Sequence, residues 1–135
     1  MKVYGGCHCG RITYEAEIDP EKILICHCTD YQSLSGSAFR TVVRVPPYAF
    51  RLLSGEPKIY VKQAESGAKL AQAFCAECGS PIYGTHVGED PKFYGIRVGT
   101  LSQRDALSPK VQIWCRSAQP WISNLDAITK VEQQA

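Results

Sequence analysis

Long apolar runs are missing from these 135 residues. The longest aliphatic stretch is Ile23-Leu24-Ile25, against the roughly 20 apolar residues that a membrane-spanning helix needs. The opening Met1-Lys2-Val3-Tyr4-Gly5-Gly6 carries no apolar signal stretch. We therefore expect a cytoplasmic protein with no membrane partner. An excess of charge of one sign is missing too: 15 Lys and Arg stand against 13 Asp and Glu, a formal +2, with the basic residues dispersed from Lys2 to Lys130. No basic stripe is present to track a phosphate backbone, so no nucleic-acid partner is expected. Long helical periods, linkers and low-complexity tracts are likewise absent.

What remains is a soluble composition, 44% hydrophobic and 21% charged, in a chain too short for two halves that each bury a core. We read one domain over 1–135, with its core at about 3–121 and a C-terminal tail at 122–135. β-Branched and aromatic residues recur in short runs: Arg11-Ile12-Thr13-Tyr14, Phe39 to Val43, Lys58 to Lys62, Phe93 to Val98, and Lys110 to Arg116. These predict strands, and Glu21 to Ile25 reads as a strand-like entry. Turn chemistry separates them, as in Ser54-Gly55-Glu56-Pro57 and Gly88-Glu89-Asp90-Pro91. Helical turns are expected only around Thr29 to Leu34, Pro47 to Arg51 and Ser102 to Leu107. The fold class is mainly β.

Cysteine is the anomaly. Six of seven fall in close pairs, Cys7-His8-Cys9, Cys26-His27-Cys28 and Cys75-Ala76-Glu77-Cys78, while Cys115 stands alone. In a reducing compartment such thiols serve as metal ligands or catalysts more often than as disulfides. In an extended segment, residues i and i+2 share a face, so a CxC unit can aim both sulfurs at one ion. A CxxC turn does the same. Gly10 follows Cys9 and Gly79 follows Cys78, which lets both units turn sharply, whereas Thr29 follows Cys28. We therefore pair Cys7 and Cys9 with Cys75 and Cys78 as a structural site, zinc being the metal that best suits four thiolates in a tetrahedron. A disulfide within CxC strains the bridge geometry. A thioredoxin-like role for Cys75 and Cys78 needs a following helix, which Gly79-Ser80-Pro81 breaks.

Cys26 and Cys28 are left for a second site. Two thiolates do not fill a zinc shell; with a third ligand and an open position the ion would act as a Lewis acid. Cys115, His27, Asp30 and the substrate itself are the available third ligands.

The runs Gly6-Cys7-His8-Cys9-Gly10, Cys26-His27-Cys28, Ser35-Gly36-Ser37-Ala38-Phe39, Phe74-Cys75-Ala76-Glu77-Cys78-Gly79-Ser80-Pro81-Ile82-Tyr83 and Pro120-Trp121 resemble the glutathione-dependent formaldehyde-activating enzyme family, which includes centromere protein V. The resemblance spans roughly Val3 to Trp121. It implies a complex of small antiparallel sheets with zinc knuckles, like the small zinc-binding Rab-exchange chaperones, and a structural zinc on Cys7, Cys9, Cys75 and Cys78. It also implies a carbon-sulfur lyase activity in which a second zinc, held by a CxCxxC unit, meets the thiol of glutathione and promotes its addition to formaldehyde.

Here that unit reads Cys26-His27-Cys28-Thr29-Asp30-Tyr31, with tyrosine at the third cysteine position. A neutral phenol is a poor zinc ligand, so the second site is incomplete. The enzyme reading, a small thiol or aldehyde adduct as partner, competes with a non-catalytic zinc-stapled module of the same fold.

Ser35, Gly36 and Ser37 are read as donors to a substrate carboxylate or as an ordinary turn. Phe39, Trp114 and Trp121 are pocket-wall or core aromatics. Cys115 in Val111-Gln112-Ile113-Trp114-Cys115-Arg116 is either a buried strand residue or a rescuing ligand. His27 is structural or solvent-exposed.

Overall fold

The structure is a computed structural model that describes residues 1–134. Its ten strands form two sheets. The smaller is antiparallel and orders β1 (Lys2–Gly6), β2 (Thr13–Glu17) and β5 (Phe50–Ser54) as β1-β2-β5. The larger contains β3 (Ile23–Cys26), β4 (Arg40–Val45), β6 (Lys58–Gln63), β7 (Lys69–Phe74), β8 (Pro81–His86), β9 (Tyr94–Arg97) and β10 (Val111–Ile113). Its order is β10-β3-β4-β9-β8-β7-β6. One α-helix, α1 (Thr29–Ser35), lies among the described residues, with short 3-10 turns such as Pro47–Ala49 and Arg104–Ala106 where helical turns were expected.

The mainly β class holds, with two differences in detail. One sheet is large, seven strands wide, and its β3–β10 pair is parallel. Alternation within a strand reports which face it buries but not which strand lies beside it. The strand expected over Lys110 to Arg116 ends at Ile113, because Trp114 adopts a left-handed backbone with φ 56°.

Period two explains where the core sits. Ile23, Val43, Val45 and Ile96 of the large sheet meet Val3, Tyr14 and Ala16 of the small one, all buried, each large aliphatic contributing roughly 1.5–3 kcal/mol. The intervening residues turn to the opposite face of the large sheet. There Leu24, Cys26 and Val42 form a smaller cluster that Cys28, Tyr31 and Ile113 partly cover. Tyr14 anchors the main core, its hydroxyl 2.7 Å from Thr100 Oγ1 and its ring 5.1 Å from Phe50. Phe50 continues the aromatic column to Tyr83 and Tyr94. The fold thus has one face spent on stability and another open for chemistry.

Candidate functional site

Two hairpin connections converge at the edge of the main core. The β1–β2 connection carries Cys7 and Cys9, and the β7–β8 connection carries Cys75 and Cys78. All four sulfurs lie within 4.8 Å of one another. Cys7 Sγ is 3.6 Å from Cys9 Sγ, and Cys9 Sγ is 3.7 Å from Cys75 Sγ. A tetrahedron with Zn–S bonds of ~2.3 Å has edges of about 3.8 Å, so the sulfurs fit a single four-thiolate ion. They are too far apart for disulfides, whose sulfurs are ~2.05 Å apart, and all seven cysteines are free.

The Cys7 and Cys9 unit is a turn and not the extended segment that face-sharing would suggest. The Gly10 N–H donates to the Cys7 carbonyl at 3.1 Å, and the Gly79 N–H does the same to Cys75 at 2.8 Å. Both glycines hold left-handed backbones, φ 84° and 79°, which a side chain would strain. The Ile12 N–H donates to Cys7 Sγ at 3.2 Å, and Ser80 Oγ lies 3.3 Å from Cys78 Sγ. Ser80 Oγ also accepts the His8 N–H at 3.0 Å, binding one knuckle to the other. Hydrogen bonds from the Ser80 hydroxyl and N–H draw the Cys78 thiol down to about 5. Cys9, although the Arg11 N–H favours its thiolate, is pushed up to about 11 by desolvation and by the neighbouring thiols. The Cys7 thiol, although burial opposes it, is also lowered by the Ile12 N–H and the neighbouring Cys9 and Cys75 thiols, so two of the four sulfurs favour the thiolate form that a metal ion binds.

Cys26 and Cys28 lie elsewhere, on the open face of the large sheet. They help wall a cleft of about 1090 Å³ whose other walls include Tyr31, Arg44, Lys62 and Trp114. Burial pushes the Cys26 thiol up to about 11, the Cys28 N–H opposing the shift, the Cys28 thiol adding to it and Arg44 opposing it. Cys28 caps α1, its Sγ accepting the Tyr31 N–H at 3.3 Å. Among the described residues, no third His, Cys, Asp or Glu joins these two in a ligand group. Neither Cys115, His27 nor Asp30 completes a second site.

The other singled-out residues have plain positions. Cys115 is exposed in a 3-10 turn, its thiol donating to the Gln112 carbonyl at 3.6 Å, so the buried-strand reading is corrected. The cause is the break at Trp114. His27 is fully buried, Nε2 2.8 Å from Gln112 Oε1 and the ring edge-on to Phe39, a structural role. Asp30 pairs with Lys62 at 2.7 Å. Ser35, Gly36 and Ser37 make the C-terminal turn of α1. The Gly36 and Ser37 N–H groups and the Ser35 hydroxyl are directed at carbonyls of Gln32 or Ser33. Trp121 is half exposed on the segment Pro120–Ala127.

Sequence reasoning passed over Arg40, Gln72 and Arg97, which are buried side by side on the open face. Arg40 Nη1 and Arg97 Nη2 both donate to Gln72 Oε1, at 3.4 and 2.7 Å. The Tyr31 ring lies over both guanidiniums, 4.7 and 4.9 Å from its centroid. Burial and the neighbouring Arg97 lower Arg40 to about 10. A charge inside a strand run reads as a solvent-facing position, so alternation hid them. The only signal was an Arg at the end of each of two apolar strand runs, in Phe39-Arg40-Thr41 and Ile96-Arg97-Val98.

No helix of the described residues is long and apolar enough to cross a membrane. No curated protein matches the chain. A crystal structure of a Rhodobacter sphaeroides protein is similar in fold, with a TM-score of 0.61 and 21% identity over 83% of this chain and 99% of that one. The glutathione-dependent formaldehyde-activating enzyme model matches residues 2–117. With both knuckles and the Cys26-His27-Cys28 unit inside that span, the chain belongs to the glutathione-dependent formaldehyde-activating enzyme family.

Proposed function

We propose that this protein is a carbon-sulfur lyase-type enzyme acting reversibly on adducts of a small thiol, such as glutathione, with a small aldehyde, in the reducing cytoplasm. The observation that carries the reading is the Cys26 and Cys28 pair facing a cleft of about 1090 Å³ with Arg44, Lys62 and Arg116 in its walls, in a chain of this family. Zinc on Cys7, Cys9, Cys75 and Cys78 is the proposed cofactor. It would contribute folding energy, a closed four-thiolate ion having no position left for substrate. The residues present do not supply a full protein shell for a second zinc.

In the forward direction the thiol sulfur attacks the aldehyde carbon. The C–S bond forms, the C=O π pair moves to oxygen, and the thiol proton ends on that oxygen to give the hydroxyalkyl thioether. The reverse step breaks the same C–S bond. The cationic walls attract an anionic thiol. Trp114 is the wall aromatic nearest the sequence expectation; Ser35, Gly36, Ser37, Phe39 and Trp121 stay proposed as outer contacts.

Exchange spectroscopy of ¹³C-formaldehyde with glutathione tests this reading. The protein should accelerate adduct exchange, and Cys28→Ser should remove the acceleration while thermal stability persists. No acceleration by a fully metallated protein would favour the rival, a non-catalytic zinc-stabilised binding module, which Tyr31 at the third cysteine position supports.

A further inference from the structure

A second cavity, about 420 Å³, opens beside the cleft. Arg40, Gln72 and Arg97 form its polar base, and Leu34, Tyr60, Phe74, Pro81 and Tyr83 are among its walls. Its volume falls in the lower part of the range for small-molecule sites.

The hydrogen-bond balance at the base is one-sided. Two guanidiniums bring about ten N–H donors, yet they make only two bonds to Gln72 Oε1 and one from Arg97 Nη1 to the Gly95 carbonyl at 3.2 Å, with the Tyr31 side chain a further partner of Arg97. Arg97 Nε and Gln72 Nε2 are buried without any acceptor. Neither arginine has a carboxylate partner among the described ion pairs. Two buried like charges sharing one neutral acceptor are costly unless an anion joins them.

The arrangement is also built into the sheet. Gly84 and Gly95 are cross-strand partners, and the space above them holds the Arg97 side chain. A Cβ at position 84 would stand 2.7 Å from Arg97 Nη2, and one at 95 would stand 3.6 Å from Nη1. Paired glycines thus sink Arg97 into the sheet, and its guanidinium, with the Tyr31 ring on one face, lines the cavity beside it.

We propose that this cavity is a receptor for a small carboxylate with an apolar body, its two oxygens taken by Arg40 and Arg97 and its hydrocarbon part by the aromatic and aliphatic walls. Arg and carboxylate match as planar, charge-assisted partners. The walls favour a ring or short chain over a polar backbone. The site stands apart from the thiol–aldehyde reading: it uses neither Cys26 nor Cys28, and it holds whether or not the cleft is catalytic.

Isothermal titration calorimetry on the metallated full chain tests it with benzoate, its uncharged isostere benzamide, inorganic phosphate and glutathione. Benzoate should bind one to one and benzamide roughly tenfold or more weakly, the loss expected for charge-assisted hydrogen bonds. Arg40→Gln and Arg97→Gln should each weaken benzoate by a similar factor. Tyr60→Ala alters a half-exposed wall residue and should weaken benzoate severalfold even if the arginine variants fail to fold. Equal affinity for benzoate and benzamide, or no benzoate binding, overturns the proposal. So does phosphate binding in preference to benzoate, or displacement of benzoate by glutathione, which would assign the arginines to the thiol cleft.

Discussion

Removing the four-cysteine cluster should unfold the protein or bring it close to unfolding. Cys9 and Cys75 are 66 positions apart, and an ion held by the cluster would fix the hairpin of the small sheet to one of the large sheet. Closing a loop of that length removes about 4 kcal/mol of denatured-state entropy when a covalent cross-link does it. A metal clip acts on the same ensemble, and structural zinc in peptides is worth about 10 kcal/mol or more. Against a typical domain stability of about 5–15 kcal/mol, even the entropic part alone is a large share. At a few degrees per kcal/mol, chelation should lower the melting temperature by at least about 10 °C. Cys78→Ser, which takes away the sulfur 3.3 Å from Ser80 Oγ, should yield a molten or insoluble chain. The assay is calorimetry with metal counted on the same sample, and Cys115→Ser, an exposed position, should leave the melt unchanged. A chelated sample proven free of metal that melts within about 2 °C of the holoprotein would refute the staple.

Three further outcomes are expected. Gly84→Ala places a Cβ 2.7 Å from Arg97 Nη2 and should cost about 1–3 kcal/mol by overpacking; Gly99→Ala, with nothing within 4 Å of its Cβ, should cost under about 0.5 kcal/mol. Urea titration of both variants checks this, and equal midpoints would sink the trough above Gly84 and Gly95. Burial raises the Tyr14 phenol from 10.0 to about 12, the Thr100 hydrogen bond opposing it. The unfolded chain then loses this proton first, so stability present below pH 10 falls as pH climbs toward 12, by about 3 kcal/mol. Tyr14→Phe should flatten that alkaline slope in denaturation curves, leaving the smaller part due to Tyr83, which burial also raises. Tyr31→Cys should raise bound zinc from one to two per chain by restoring a third thiol beside Cys26 and Cys28. Metal counting that stays at one would mean the three sulfurs do not converge.

The parts of this molecule legible in the sequence are those governed by local chemistry. Cysteine spacing with Gly10 and Gly79 behind it pointed to the same four cysteines whose sulfurs lie within 4.8 Å of one another, and both glycines are left-handed, a local requirement of the turns. Strands β4, β6 and β9 were visible because Val, Ile and Tyr fill them, and the short turn read around Thr29 to Leu34 is α1. Strands β7 and β8 were not legible: Lys-Leu-Ala-Gln-Ala-Phe has little β propensity, and Pro81 and Gly84 punctuate the other. Their place inside the sheet comes from neighbours on both sides, which is tertiary information. The Arg40, Gln72 and Arg97 group was hidden for the same reason. Three residues far apart in the chain become a site only when β4, β7 and β9 share a face.

Charge accounting connects the tyrosine at position 31 with that hidden group. A cysteine there would bring a third thiol, and with it a third ionisable sulfur, to the face that carries both arginines. Tyr31 offers instead the negative face of a ring, centred 4.7 and 4.9 Å from the two guanidiniums, worth roughly 0.5–2 kcal/mol for each cation. That is small beside the several kcal/mol needed to desolvate an ion. Tyr31 therefore does two things at once: it adds no thiol to the Cys26 and Cys28 cleft and leaves Arg40 and Arg97 short of negative charge. An anion entering the adjoining cavity supplies what the phenol does not. On this argument Tyr31→Cys should weaken benzoate as it gains zinc, because the thiolates would compete for the field of the same guanidiniums. A variant that gains metal and keeps full benzoate affinity would show that the two pockets are electrostatically independent.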